Sequence, residues 1–229
     1  PIKKIEKNQN TWEAHTPLGK ITTKNIIFAI NGHINNFGFY KKRLLHIITY
    51  SSLSKKFNNN ILKGDPSWGL TSSNPIGTTV RKVRVDENNS RLLIRNTWRC
   101  RQNLESTDHD FKKSCEKHLR SFIERFPNLK ESPFEFSWGG RVCLSLNGVP
   151  AFGELDENIY SACCSNGLGT VKGTLAGKLI IDKACQSNSS QLDKFESIEK
   201  PAILPPNFIT EIGANLKIKS REITAGRDL

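Results

Sequence analysis

CCSNGLGTVKGTLAGK, residues 163–178, carries glycines at Gly167, Gly169, Gly173 and Gly177. NIYSA, residues 158–162, precedes it and reads as a short strand. LIIDKAC, residues 179–185, follows it and reads as a helix. A strand, a glycine turn and a helix together let backbone N–H groups approach a phosphate or a flat cofactor closely. The dinucleotide fingerprint G-x-G-x-x-G is not met, because three residues separate Gly169 from Gly173. Nothing after Gly177 reads as the next parallel strand of a first nucleotide-binding unit. For Gly167 and Gly169 the reading is contact with a ligand. For Gly173 and Gly177 it is close packing of helix on sheet.

Upstream of this turn the chain is mixed. IKKIEK (2–7) and TWEAHT (11–16) alternate as strands, PLGK (17–20) turns, and KITTKNIIFAING (20–32) follows. The apolar run NIIFAI, ending in Asn31-Gly32, predicts a strand buried on both faces, as in a parallel sheet. RLLHIITYSSL (43–53) is a further strand, and KKFNNNILKGDPSWG (55–69) a polar loop. TTVRKVRV (78–85) and SRLLIRNTWRCR (90–101) flank DENN as a hairpin, which puts Leu93, Arg95, Thr97 and Arg99 on one face. A helix is predicted over Asp108–Phe126. Ser106 or Thr107 caps it, Pro127 stops it, and Phe111, Cys115, Leu119, Phe122 and Phe126 form its core stripe. KPAILPPNF (200–208) opens a tail expected to run over the surface. The fold class is therefore α/β (α+β mixed).

The bulk properties exclude more than they assign. A net charge of +12 would suit nucleic acid, but the basic residues are scattered. YKKRLL and VRKVRV, the densest clusters, lack the aromatic spacing of a single-strand binder. No nucleic-acid partner and no membrane span are expected. Six cysteines without a CxxC pair predict reduced thiols, no metal site and a cytoplasmic protein. His15, His33, His46, His109 and His118 show no metal-ligand spacing, and His46 is the one singled out. Methionine is absent, so either the N-terminus is not the natural one or methionines are missing from the sequence.

SWGGRVCLSLNGVPAFGEL (137–155) places Trp138, Gly139, Gly140, Asn147, Gly148, Pro150 and Gly153 in the pattern W-[AG]-G followed by [DN]-G-x-P-x-[IF]-G. With Gly167, Gly169 and Gly177 behind it, this stretch resembles the C-terminal part of the FAD-dependent glycine/D-amino-acid oxidase superfamily, near its gamma-glutamylputrescine-oxidase-like members. EAHTPLGKITTKNIIFAING (13–32) is similar to the family's hairpin and cofactor-side strand, and LLIRNTWRCR with the helix ending in RFPNL to its substrate domain. The resemblance covers essentially the whole chain.

The resemblance implies a partial FAD-binding Rossmann-like domain with an inserted mixed-sheet substrate domain. Residues 1–42 and 138–200 would belong to the FAD-binding domain, 43–137 to the substrate domain and 201–229 to the tail. It implies FAD as cofactor, held by Ala29, Asn31, Gly32, Gly140, Arg141, Gly148, Asn166, Gly167, Leu168, Gly169 and Thr170. N–H groups at residues 167–170 would stabilise negative charge on the pyrimidine edge of the reduced ring. The implied reaction oxidises a C–N bond of a small amine or amino acid by hydride transfer to flavin. No catalytic base is named.

Arg95 and Arg99 are the candidates for a substrate carboxylate, because a guanidinium fork binds it bidentately. A solvated sheet face fits them equally on sequence. Arg141 stands one residue before the family's carboxylate-binding arginine, which on a strand turns it to the other face. Lys172 is expected at the surface. Cys163 and Cys164 are nearest to a covalent flavin link, and packed thiols are the expected reading. The family's G-x-G-x-x-G loop does not occur here, so the missing N-terminal half is expected in the same parent chain or on a partner subunit. The competing reading is a non-catalytic or partner-completed half of such a protein.

Overall fold

The computed structural model describes residues 1–131, 133–187 and 189–229. In chain order the strands are β1 (Lys4–Asn8), β2 (Thr11–Thr16), β3 (Gly19–Thr23), β4 (Ile26–Phe28), β5 (Leu45–Ser54), β6 (Phe57–Asn58), β7 (Trp68–Thr71), β8 (Thr79–Arg84), β9 (Asn89–Cys100), β10 (Phe134–Leu144), β11 (Ala151–Asp156) and β12 (Ile159–Cys163). The helices are α1 (Asp108–Arg125), α2 (Thr174–Ala184), α3 (Ser190–Glu196) and α4 (Asn207–Ala225). The architecture is mixed α/β, as the sequence predicts. Residues 1–46 with 142–207 form one compact unit, and residues 47–141 with 208–229 form a second.

The first unit holds two small sheets. β1, β2 and β3 form an antiparallel meander with β2 in the centre. Trp12 pins it down by donating its indole N–H to the Glu157 carbonyl at 3.0 Å. The second sheet has the order β11-β12-β4. β11 and β12 are antiparallel, while β12 and β4 are parallel, with Ile159 opposite Ile26 and Ser161 opposite Phe28. The parallel partner agrees with the reading of NIIFAI. The double burial does not: β4 has three residues, Ile26 and Ile27 are half-buried, and Ile30 is exposed. The reason is that, among the described residues, β4 is the edge of its sheet and has a strand on one side only. The core of this unit gathers Trp12, Phe28, Ile34, Leu44 and Ile159 around Cys143, Cys163 and Cys164.

The second unit is built on a sheet of order β10-β5-β9-β8-β7, with β6 also pairing β9. The β8–β9 hairpin forms around residues 86–89 as expected, with Arg84 opposite Ser90. The predicted polar loop contains β6 and runs into β7. α1 begins where its cap requires: Thr107 Oγ1 accepts from the Asp110 N–H at 3.1 Å, worth about 1 kcal/mol. Asp108 and Asp110 occupy the first turn and Arg125 the last, each favourable to the helix dipole.

The buried stripe of α1 differs from the expected one. Asp110, Ser114, His118, Ser121 and Phe122 are buried, whereas Leu119 is exposed. The stripe is displaced because polar residues on β5 and β9 meet it. His118 lies between Ser52 (Nδ1 to Oγ, 2.8 Å) and Thr97 (Nε2 to Oγ1, 2.7 Å). A fully satisfied polar seam buries as well as an apolar one. The expected surface tail instead forms α4, because Pro201, Pro205 and Pro206 end before residue 207 and leave Asn207–Ala225 free of helix breakers other than Gly213.

Candidate functional site

β4 and β12 run side by side in the same direction, so their C-terminal ends lie together. In open α/β sheets ligands bind beyond those ends. Asn31 follows β4 and Cys164 follows β12. Both take left-handed backbone conformations, with φ of 53° and 58°, and the Cys164 N–H donates to Asn31 Oδ1 at 3.2 Å. A left-handed non-glycine residue costs about 1 kcal/mol or more, and such residues cluster at functional sites.

Asn166, also left-handed at φ 52°, clamps this turn. Its Oδ1 accepts from the Ser145 N–H at 2.8 Å, and its Nδ2 donates to the carbonyls of Val149 (3.0 Å) and Cys164 (3.1 Å). The Asn166 side chain is thereby committed to the loop. Gly148, at φ 71°, sits in the turn between those partners. Ser145 is the residue that sequence reading missed here, and only its backbone proximity to Asn166 marks it.

Beyond the clamp the turn opens. Gly167, at φ 81°, and Gly169 have no atom within 4 Å of where a side chain would begin. Leu168 and Thr170 are exposed. A single wide helical turn over Gly169–Gly173 leads into α2, and the N–H groups of Leu168 and Lys172 are taken by the carbonyls of Ser165 (3.0 Å) and Leu168 (2.9 Å). Neither glycine packs on the sheet: a Cβ added at Gly173 would lie 3.3 Å from Ser165 Oγ, in the loop after β12, and one added at Gly177 would meet open space. Its helix position is half-buried and lacks a close sheet neighbour.

The other members of the expected cofactor set divide. Ala29 is exposed at the end of β4. Gly32 is buried against His46, whose Nδ1 would collide with an added Cβ. The Asn35 amide orientation is fixed by its Nδ2 donating to the Phe39 carbonyl at 2.8 Å. Its Oδ1 therefore accepts from His46 Nε2–H at 2.8 Å, and the Nδ1 lone pair is left facing Gly32. Burial, with His33 nearby, pulls the His46 pKa down to about 4, so the ring is neutral at pH 7. Gly140 and Arg141 lie on β10 in the second unit, and Arg141 Nε donates to the Leu104 carbonyl at 2.5 Å.

Cys163 and Cys164 are packed thiols. The Cys163 thiol donates to the Phe28 carbonyl at 3.2 Å. Cys143 hydrogen-bonds Cys164, which lowers the Cys164 pKa and raises that of Cys143. Both thiols of the adjacent pair are buried because β12 ends at Cys163 and the chain turns.

In the second unit the two candidate arginines do not share a face. Between Tyr50–Thr97 and Ser52–Ile94, two steps on β5 span three on β9. This irregularity turns Thr97 and Arg99 toward α1. Arg99 lies near two carboxylates, Asp110 (3.7 Å) and Glu222 (3.6 Å), and is neutralised by them. Arg95 instead stacks over Trp98, 5.0 Å from the ring centroid, and donates to Thr79 Oγ1 at 3.2 Å. No acidic partner of Arg95 occurs among the described ion pairs. Among the described residues, no group of three His, Cys, Asp or Glu side chains could hold a metal. No helix there is long and apolar enough to cross a membrane.

The family described as DAO, FAD dependent oxidoreductase, matches residues 1–183. The chain belongs to this family. It is 33% identical over 76 residues to gamma-glutamylputrescine oxidoreductase of Escherichia coli (strain K12), a segment covering 33% of this chain and 18% of that protein. It is 26% identical over 94 residues to the probable oxidoreductase OrdL of Haemophilus influenzae, covering 41% of this chain and 22% of that protein. The fold is similar to that of glycine oxidase from Geobacillus kaustophilus, with a TM-score of 0.62 at 15% identity, over 83% of this chain and 49% of that one. The chain thus spans about half the length of that solved relative.

Proposed function

We propose that this chain is the ring-binding and substrate-binding part of an FAD-dependent oxidoreductase acting on the C–N bond of a small amine or amino acid. The observation that carries the reading is the open glycine turn, Gly167–Thr170, at the C-terminal ends of a parallel strand pair and at the start of α2. When bound, FAD supplies the two-electron acceptor for oxidation of the amine to an imine, which water hydrolyses. The protein's own share is electrostatic and steric. N–H groups of the turn offer fixed partial positive charge to a ring edge. Asn31, bonded to the Cys164 N–H, and Gly148, beside the Val149 carbonyl that Asn166 bonds, stand next to the same loop, and Ala29 stays in the proposed set through the family pattern alone. Arg95, stacked on Trp98 and without an acidic partner among the described residues, is the residue suited to a substrate carboxylate. Gly140 and Arg141 remain in the proposed cofactor set through the family pattern alone, and four buried thiols suit a reducing compartment such as the cytoplasm.

The sequence contains no G-x-G-x-x-G, and β4 is an edge strand with one side open to pairing. Both favour completion by an N-terminal half, in the same polypeptide or on a partner chain. In a non-catalytic half the glycine turn would serve assembly only.

Flavin titration separates these readings. Riboflavin carries the ring without the pyrophosphate, so it probes the glycine turn by itself. A perturbed visible flavin band with riboflavin or FAD, abolished by Gly169→Val, supports ring binding. A free-flavin spectrum at every concentration overturns ring binding by this chain and leaves the partner-completed half.

A further inference from the structure

α4 is turned inside out. Its buried residues are Thr210, Glu222 and Ala225. Asn215 bonds the backbone of Cys100, and Glu211 bonds Arg101. Its outward face carries Phe208, Ile209, Ile212, Leu216 and Ile223, exposed by 67%, 47%, 59%, 66% and 71%. At about 100° per residue these five side chains fall within a sector of about 100°. A surface helix ordinarily presents the reverse arrangement, and a contiguous exposed apolar stripe marks an interaction site. The family match ends at residue 183, so α4 lies outside it.

The pattern of the stripe identifies its occupant. Ile209, Ile212, Leu216, Lys219 and Ile223 follow the 3-4-3-4 spacing of a coiled-coil seam. The order is nearly symmetric about Leu216. Two antiparallel copies crossing there would place Leu216 on Leu216 and Ile209 on Ile223, with Ile212 against Ser220 and Lys219 against Gly213. The Lys219 ammonium sits 3.9 Å from Glu222 on its own helix, which leaves its methylene stem to lie along the facing backbone at Gly213. Gly213 and Ser220 flank the seam with small side chains that let the backbones approach. A parallel pair would instead set Lys219 against Lys219, a like-charge contact.

We infer that the outward face of α4 is a self-association surface, on which a second copy of this chain docks antiparallel through a two-fold axis at Leu216. Such an interface is isologous and closes at the dimer. Two copies of the stripe bury on the order of 1,000 Å², the lower limit for a specific contact. The dimer is therefore weak and concentration-dependent.

Sedimentation velocity of the 229-residue chain at about 100 µM tests this. A dimer is expected, and Leu216→Glu should weaken it at least tenfold while the circular dichroism and melting temperature stay unchanged. Oxidation of Leu216→Cys should give a covalent dimer faster than the unsubstituted chain. Ile209→Cys alone should not, but Ile209→Cys combined with Ile223→Cys should. A monomer at all concentrations overturns the inference. So does a dimer indifferent to Leu216→Glu, or cross-linking of Ile209→Cys alone. Binding of the monomeric chain to anionic phospholipid vesicles, lost in Leu216→Glu, would also overturn it by making the stripe a lipid contact.

Discussion

Gly32 and Gly169 follow the two strands of one parallel pair, and their surroundings are opposite. Gly32 is closed: the His46 ring rests on its α-carbon, held there by Asn35. Gly169 is open, with nothing within 4 Å of a notional side chain. Both positions carry the same residue in the same motif context, for different reasons. One glycine makes room for the protein's own histidine. The other leaves room for something the protein does not supply. A glycine whose vacancy is filled is a stability feature, and a glycine whose vacancy remains is a candidate for binding.

The largest expected effect is at the closed glycine. Gly32→Ala forces the His46 ring off Asn35 in a packed core, at a cost of about 3 kcal/mol, read as a fall in denaturation midpoint. An unchanged midpoint would show that the ring can swing aside freely.

The next effect is acid sensitivity. His46 and His118 both have folded-state pKa values lowered to about 4, chiefly by burial. The unfolded chain takes up these protons near pH 6.5. Stability from keeping them neutral is complete above that pH and is lost as pH falls from 6.5 toward 4. Each ring contributes up to about 3 kcal/mol on this basis. Urea unfolding at pH 7 and pH 4.5 measures the loss, and His118→Gln should flatten it. An equal slope in that variant would remove His118 from the account.

Arg99→Met ranks third. It leaves Asp110 and Glu222 with fewer counter-charges in a buried setting, and about 2 kcal/mol of stability should go. Arg95→Met is its counterpart on β9. It should change stability by no more than about 0.5 kcal/mol. Its effect is expected in affinity for amino-acid carboxylates, measured by calorimetry on the flavin-loaded protein. If the two variants unfold alike, the division between them fails. The smallest stability effect belongs to the open glycine. Gly169→Val should leave the midpoint within about 0.5 kcal/mol of the parent while reducing flavin uptake at least tenfold.

Local features were legible and partners were not. Thr107 and Pro127 bracket α1 because a cap and a ring-locked φ act within one turn. Asn166-Gly167 marks a turn because both residues tolerate left-handed backbone. The core stripe of α1 was misplaced by one residue, since hydropathy cannot register that Ser52 and Thr97 wait for His118 across 66 and 21 residues. Arg95 and Arg99 were put on one face because strict alternation assumes an unbroken register.

The sequence by itself determined the alternation of strands, the hairpin at residues 86–89, the extent of α1 and the glycine turn before α2. These depend on dihedral preferences and hydrogen bonds between near neighbours. Only the tertiary structure decided which glycine is filled, which arginine sits beside carboxylates and which face of α4 is left outward. Those outcomes depend on side chains brought together from distant parts of the chain, whose register and burial no local preference can fix.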